Sequence, residues 1–389
     1  MSGDPTSGFS PIDDEPPLRA LRRIGLVPRN SLGIGRRVAV LVALAWGVPV
    51  VWALLNGRLW PGDAAGEPLL SHYGLHARFL VAVALLVVAE AVADRGLKRV
   101  IAQFTASGAV GAAARLPFER LLRDTARLRD RTLPWVVVAG VALGWTLGHV
   151  PDSGDDALTW ATGARGELGF GGWWMLYVSR PIFVVLLLAW AWRLLLTTLL
   201  FARIGRLELA LVPTHPDRQG GIGFVQALPG ALAPVVLALS MVVTSQWAHD
   251  VLYHGTSLAS LKLPAAALVV TLALLPLLPL LVLAPALIGT KARALPAYAA
   301  LVGEHGRQVH RRWILREPVA DDRLIDAAEI GPVADAAAMY QAVAAMQPVP
   351  VGKRAIVPLV LAIGLPLVVL VALRLPLKSV LGHLLKALV

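Results

Sequence analysis

Apolar stretches recur along the chain at 38–56, 79–93, 133–150, 175–201, 228–248, 263–289 and 355–373. Their lengths bracket the roughly 20 residues that a helix rising 1.5 Å per residue needs to cross a hydrocarbon layer of about 30 Å. Within them Leu, Val and Ala follow one another, without the polar–apolar alternation of a barrel strand. The pattern predicts an all-α fold: a polytopic transmembrane helical bundle of about seven spans, with six to eight as the range. A re-entrant segment would leave six, and insertion of the small-residue stretch Val100–Ala114 would make eight.

The segments between the stretches have their own character. Residues 1–17 hold Asp4, Asp13, Asp14, Glu15 and four prolines with little apolar content, which is the composition of a disordered tail. The first apolar run begins only after Arg36 and Arg37, too far along for a secretory leader, and reads as a membrane helix. The chain therefore divides into a disordered, basic N-terminal segment 1–37, six spans in 38–289 with a polar insert 94–132, a helical segment 290–354, and a last span with tail 355–389. In 290–354 an amphipathic helix is expected to end near Arg312. In the tail, Leu377, Leu381, Leu384, Leu385 and Leu388 fall at helical spacing, as in a helix lying in the membrane interface.

Composition supports this reading. Hydrophobic residues make up 57% and charged residues 16%, with mean hydropathy +0.67, against roughly 45–50% and 25% in soluble domains. The net charge of +11 raises the question of nucleic acid, but its distribution answers it. With the N-terminus inside, 27 Lys and Arg fall in inside segments and 7 in outside ones. A positive-inside bias of that size orients the bundle in a bacterial inner membrane, N-terminus cytoplasmic and C-terminus periplasmic. The acidic loop 151–172, which precedes Trp173 and Trp174, then faces the periplasm. There is no cysteine, hence no disulfide framework or thiolate ligand.

An ionisable side chain within a span costs at least about 2.5–3.5 kcal/mol on insertion scales, so each one asks for a reason. Glu90 lies roughly 6 Å, and Arg193 roughly 15 Å, from the cytoplasmic ends of their helices. Arg180, beside Pro181, reads as an interface anchor. A Glu90–Arg193 ion pair would relieve both charges, yet a depth gap of roughly 9 Å argues against it. These three residues are the candidates for a transport pathway. Prolines at 229, 234, 264, 276, 279 and 285 supply kinks of the kind that either shape packing or open binding sites.

A second candidate is the loop Pro213–Phe224, which contains His215, Asp217, Arg218, Gly220, Gly221 and Gly223. Asp217 is placed to cap, and the glycines permit left-handed turns. The segment reads as an ordered turn docking the cytoplasmic helices, or as a ligand or ion gate; Arg218 beside glycine amides suits an anion. No Walker or Rossmann spacing is present. His72 and His76 have the i, i+4 spacing of a metal pair, and His249, Asp250 and His254 lie close in sequence, but neither forms a recognised metal motif. No metal or other cofactor is expected.

Leu207–Phe224, Leu280–Ala294 and Met346–Arg354 resemble an uncharacterised family of proteobacterial polytopic membrane proteins carrying a THPDRxGGLGF-type loop. The similarity covers residues 203 to the end, with Ile222 at the position of the family's leucine. It implies a multi-span inner-membrane protein and no activity. Three classes remain: a channel or transporter for a small solute or anion, a non-transporting scaffold or lipid- or partner-binding component, and an enzyme. The third is set aside because no acid, base or nucleophile pair converges. The expected partners are the lipid bilayer and further copies of the chain, with no nucleic acid.

Overall fold

The computed structural model describes residues 10, 12–28, 31–60, 67–148, 156–162, 167–318 and 331–373. Among these the fold is all-α. A short helix α1 (Pro16–Arg23) precedes α2 (Ile34–Leu55), α3 (Tyr73–Ala106), α4 (Ala112–Arg129), α5 (Leu133–Gly148) and α6 (Phe170–Ile204). Then come α7 (Gly223–Tyr253), α8 (Lys262–Leu281), α9 (Ala284–Val309), α10 (Gly331–Ala344) and α11 (Lys353–Ala372). Six of them, α2, α3, α6, α7, α8 and α11, are long and apolar enough to cross a membrane. Large side chains such as Leu54, Leu55, Val360, Leu361 and Val368 face outward, as lipid-facing residues do.

The seventh expected span is α5, whose sixteen described residues stop at Gly148, with 149–150 outside the described residues. Its neighbours decide its role. Phe118 and Leu122 of α4 lie in a core at one end of the bundle with Phe104 and Phe201, whereas Leu158 and Trp160 lie in a core at the other end with Phe79 and Met175. The chain must pass from one end to the other between them, and α5 makes that passage, packed through Trp135 and Val138 on Ala189 of α6. Seven helices therefore run from one end of the bundle to the other, six of them long and apolar enough to span a membrane. Ser240 of α7 donates to the Ile363 carbonyl, while Gly230 lies beside Pro358, so α11 runs parallel to α7. The end of α11 is therefore at the far end from α1; the tail 374–389 lies outside the described residues.

Three expectations change. The sixth span ends at Leu281 instead of 289: Pro285 sits in the first turn of a new helix, where its missing N–H costs nothing, and α9 starts there. Val100–Ala114 is no extra span; it is the end of α3 and the start of α4, with Val100, Ile101 and Phe104 packed in the end core. Finally, residues 12–28 are not a loose tail. Ile12, Leu18 and Val27 are buried, and α1 lies against the same end of the bundle.

Close approach holds the centre together. A Cβ on Gly96 of α3 would meet the Ala231 Cβ of α7 at 2.5 Å, so only glycine permits that helix contact. Wide π-helical turns at Ala43–Gly47, Ala77–Ala82 and Met175–Ser179 pack on one another. They are cross-linked by indoles: Trp46 donates to His76 Nδ1 at 2.8 Å and Trp174 to the Leu44 carbonyl at 2.8 Å. Such turns loosen the regular ladder and free carbonyls for side-chain donors.

Candidate functional site: a closed ion-pair chain and an open basic pocket

The two end cores meet at a seam, and the buried charges lie in it. Glu90 follows Ala89 of one core and precedes Leu97 of the other; Arg193 stands between Trp190 and Leu200 in the same way. Arg193 donates through Nη1 to Glu90 Oε1 at 3.0 Å, and through Nε and Nη2 to the two oxygens of Glu15 at 3.0 and 2.6 Å. Glu90 also takes a bidentate pair from Arg37, the second bond measuring 3.1 Å. Arg37, Glu90, Arg193 and Glu15 thus form an unbroken chain of two cations and two anions, each at most 6% exposed. The Trp190 ring lies 5.2 Å from the Arg193 guanidinium, and its indole donates to the Leu86 carbonyl at 3.0 Å.

The ion pair that depth seemed to forbid is present. The first charge after an apolar run does not mark the helix end on α3, which continues past Asp94 to Ala106. The last apolar turns of α6, with Leu200, Phe201 and Ile204, face Phe104 and Phe118 instead of lipid. Hydrophobicity alone does not distinguish a lipid-facing turn from one covered by protein. Arg180, half-buried just after the π-helical turn of α6 and roughly 20 Å along the axis from Arg193, takes no part.

Glu15 is the residue that sequence reasoning missed. It sits in an acidic, proline-rich stretch, 178 positions from its partner. The signal available was charge balance, since Arg37 and Arg193 against Glu90 alone leaves one buried positive charge. The segment is fastened at further points: Ser10 donates to Asp94, its carbonyl accepts from Arg129, and Arg19 donates to the Asp130 carbonyl at 3.0 Å. Burial pushes the Glu15 carboxyl above the ordinary carboxylate value, and Glu90 adds to this; Arg193 and the more distant Arg129 pull the other way without cancelling it. Only about 20 Å³ of space, lined mostly by apolar side chains, adjoins Arg193.

The loop 213–224 is built around Asp217. Its Oδ1 accepts from the amides of Gln219 (2.7 Å) and Gly221 (3.2 Å), its Oδ2 from that of Gly223 (2.8 Å), and His215 Nδ1 lies 2.8 Å from Oδ1. Burial alone would raise the Asp217 carboxyl; the three amides and His215 outweigh it and hold the group below its ordinary value. Gly220 and Gly221 have φ of +65° and +90°, and Arg218 is itself left-handed, so the turn needs residues that tolerate that region. The Arg218 carbonyl accepts from the Gln347 amide at 2.7 Å, Gln219 and Gln347 join through their side chains, and Lys291 donates to the carbonyls of Ala344 and Met346. The three stretches 207–224, 280–294 and 346–354 thus meet in one layer.

Beside this loop opens a cavity of about 780 Å³. Lys353 and Arg354, the first residues of α11, line it with Gln103, Ser107, His215 and Gln226. Both cations are exposed, and among the described residues neither has a side-chain ion pair or hydrogen bond. Among the described residues Asp217 is the one acid in the lining, and its oxygens are already taken up by the loop amides. Arg218 is exposed on the same loop but does not line the cavity. No family model matches the chain, nor does any curated protein or solved structure.

Proposed function

We propose that this integral membrane protein is a non-transporting component that binds an anionic lipid headgroup in the cavity between the Asp217 loop and the start of α11. The observation that carries the reading is the pair Lys353 and Arg354, which line the cavity and, among the described residues, have no counter-charge of their own. A ligand with phosphate oxygens supplies that counter-charge, with donors from Gln103, Ser107 and Gln226 around it. The position at the head of a crossing helix suits the headgroup layer of an inner membrane whose cytoplasmic face meets this end. The resemblance bears on it too, because its three stretches build the loop, its support and the basic pair. No enzymatic activity is proposed.

The test is thermal unfolding of the purified protein in a zwitterionic detergent with added phosphatidylglycerol or phosphatidylcholine. Selective stabilisation by the anionic lipid, lost in the double variant K353A/R354A, supports the reading. Equal stabilisation by both lipids, or a response unchanged in the double variant, overturns it.

A second reading, a channel or transporter for a small anion, rests on Arg193 and Glu90. For Arg193 to meet a solute, Glu15 has to leave it, so the N-terminal segment acts as a plug. Liposome flux of chloride through wild type and through a variant lacking residues 1–24 tests this: release of flux by the deletion supports a plugged pathway, and no flux from either removes it.

A further inference from the structure

At the far end of the bundle, the turn Leu69–Ser71 leads into α3 beside the last turns of α7, and two buried histidines meet there. His72 and His249 are 5% and 4% exposed, and their rings stack with centroids 5.4 Å apart. Glu67 joins them, and one ligand atom from each of the three lies within 4.8 Å of the others. His76 is not part of the group, because its two nitrogens are engaged by Trp46 and by the Leu69 carbonyl. The pairing expected from i, i+4 spacing is therefore replaced by one between residues far apart in the chain.

The hydrogen bonds point to a cation. His249 Nδ1 lies 3.1 Å from the Ser71 carbonyl, which only accepts, so Nδ1 carries the proton and Nε2 presents a lone pair. That Nε2 is buried without a hydrogen-bond partner, and so is Glu67 Oε2, 3.5 Å away. Two buried acceptor atoms facing each other repel unless positive charge lies between them. A backbone carbonyl orienting the far nitrogen of a ligating imidazole is the usual supporting arrangement of a metal site.

We propose that Glu67, His72 and His249 bind a divalent transition-metal ion, with Zn²⁺ the best match to two imidazoles and one carboxylate. In a tetrahedral site with ligands about 2.1 Å from the ion, donor atoms are about 3.4 Å apart. The His249–Glu67 separation of 3.5 Å is close to that value, and the His72 ligand atom lies within 4.8 Å of both. Three protein ligands leave the fourth position to water. The ion then ties the entry of α3 to the end of α7.

The experiment uses the full chain, purified without a polyhistidine tag and stripped of metal, titrated with Zn²⁺ by calorimetry and with Co²⁺ by its visible absorption. The expected result is about one ion per chain, with affinity reduced at least about 100-fold in His249→Ala and His72→Ala, at least about 10-fold in Glu67→Gln, and unchanged in the exposed-site control His310→Ala. Glu67→Gln keeps the side-chain volume, so it reports on the site even where a histidine variant fails to fold. No stoichiometric binding by wild type, or an unaltered Co²⁺ spectrum in Glu67→Gln together with any folded histidine variant, overturns the proposal.

Discussion

The buried charges at the seam between the two end cores and the exposed charges of the pocket at one end are arranged in opposite ways. In the seam every cation has a carboxylate within 3.1 Å, and both carboxylates bridge to a partner on another segment. In the pocket, among the described residues, Lys353 and Arg354 have none, and the one acid in the lining is held by backbone amides. Charges that the chain satisfies itself fix one arrangement of its segments; charges left open are available to a ligand. Arg193, the deepest charge, belongs to the first kind. A ligand is therefore better served beside the Asp217 loop than along a path through Arg193.

The largest effect expected of any single change is at Arg193. Arg193→Leu strands Glu15 and leaves Glu90 with Arg37 alone, a loss of about 3–5 kcal/mol, visible as a large drop in unfolding temperature or in folded yield. Glu15→Ala removes a bidentate partner but leaves Glu90 on Arg193, and about 2–3 kcal/mol is expected. Glu15→Gln is milder, about 1 kcal/mol, because burial already disfavours the charge and the amide oxygen still accepts from Arg193. If the two Glu15 variants prove equal, the ion pair and not the hydrogen bond carries the contact.

Next comes the loop. Gly221→Ala forces a side chain into φ +90°, at about 1–2 kcal/mol, and should show as faster amide exchange over 213–224. Asp217 adds a pH dependence. Its folded value lies below the ordinary aspartate value of about 3.9, so its stabilisation is complete above that value and is lost as pH falls through the lower folded one. Asp217→Asn, which trades a charged acceptor for a neutral one in a partly exposed site, should cost about 1 kcal/mol at neutral pH and remove that acid transition. The smallest stability effect is at Lys353 and Arg354, within about 0.5 kcal/mol, since neither holds another residue.

Much of the bundle was legible in the hydrophobic pattern. All six spanning helices and the end-to-end helix α5 fall on expected stretches, because lipid-facing helices must be apolar whatever they pack against. The Pro285 break was legible only as a kink, since a proline marks a boundary without saying on which side the helix resumes. The loop's tight turn was readable from Asp217 and its glycines, as all the interactions are local. The seam and the histidine cluster were not. Glu15 and Arg193, like Ser71 and His249, are separated by 178 positions, and composition assigned residues 1–17 to disorder because their few apolar side chains, Ile12 among them, look insufficient until the bundle supplies the other half of the contact.

The division between closed and open charges is tested most directly by titrating phosphatidylglycerol, in zwitterionic micelles, into wild type, Glu15→Gln and K353A/R354A side by side. The account predicts at least a tenfold weaker affinity for K353A/R354A and an affinity within about twofold of wild type for Glu15→Gln. Undiminished affinity in K353A/R354A, or a gain in Glu15→Gln as Arg193 is freed, would contradict it.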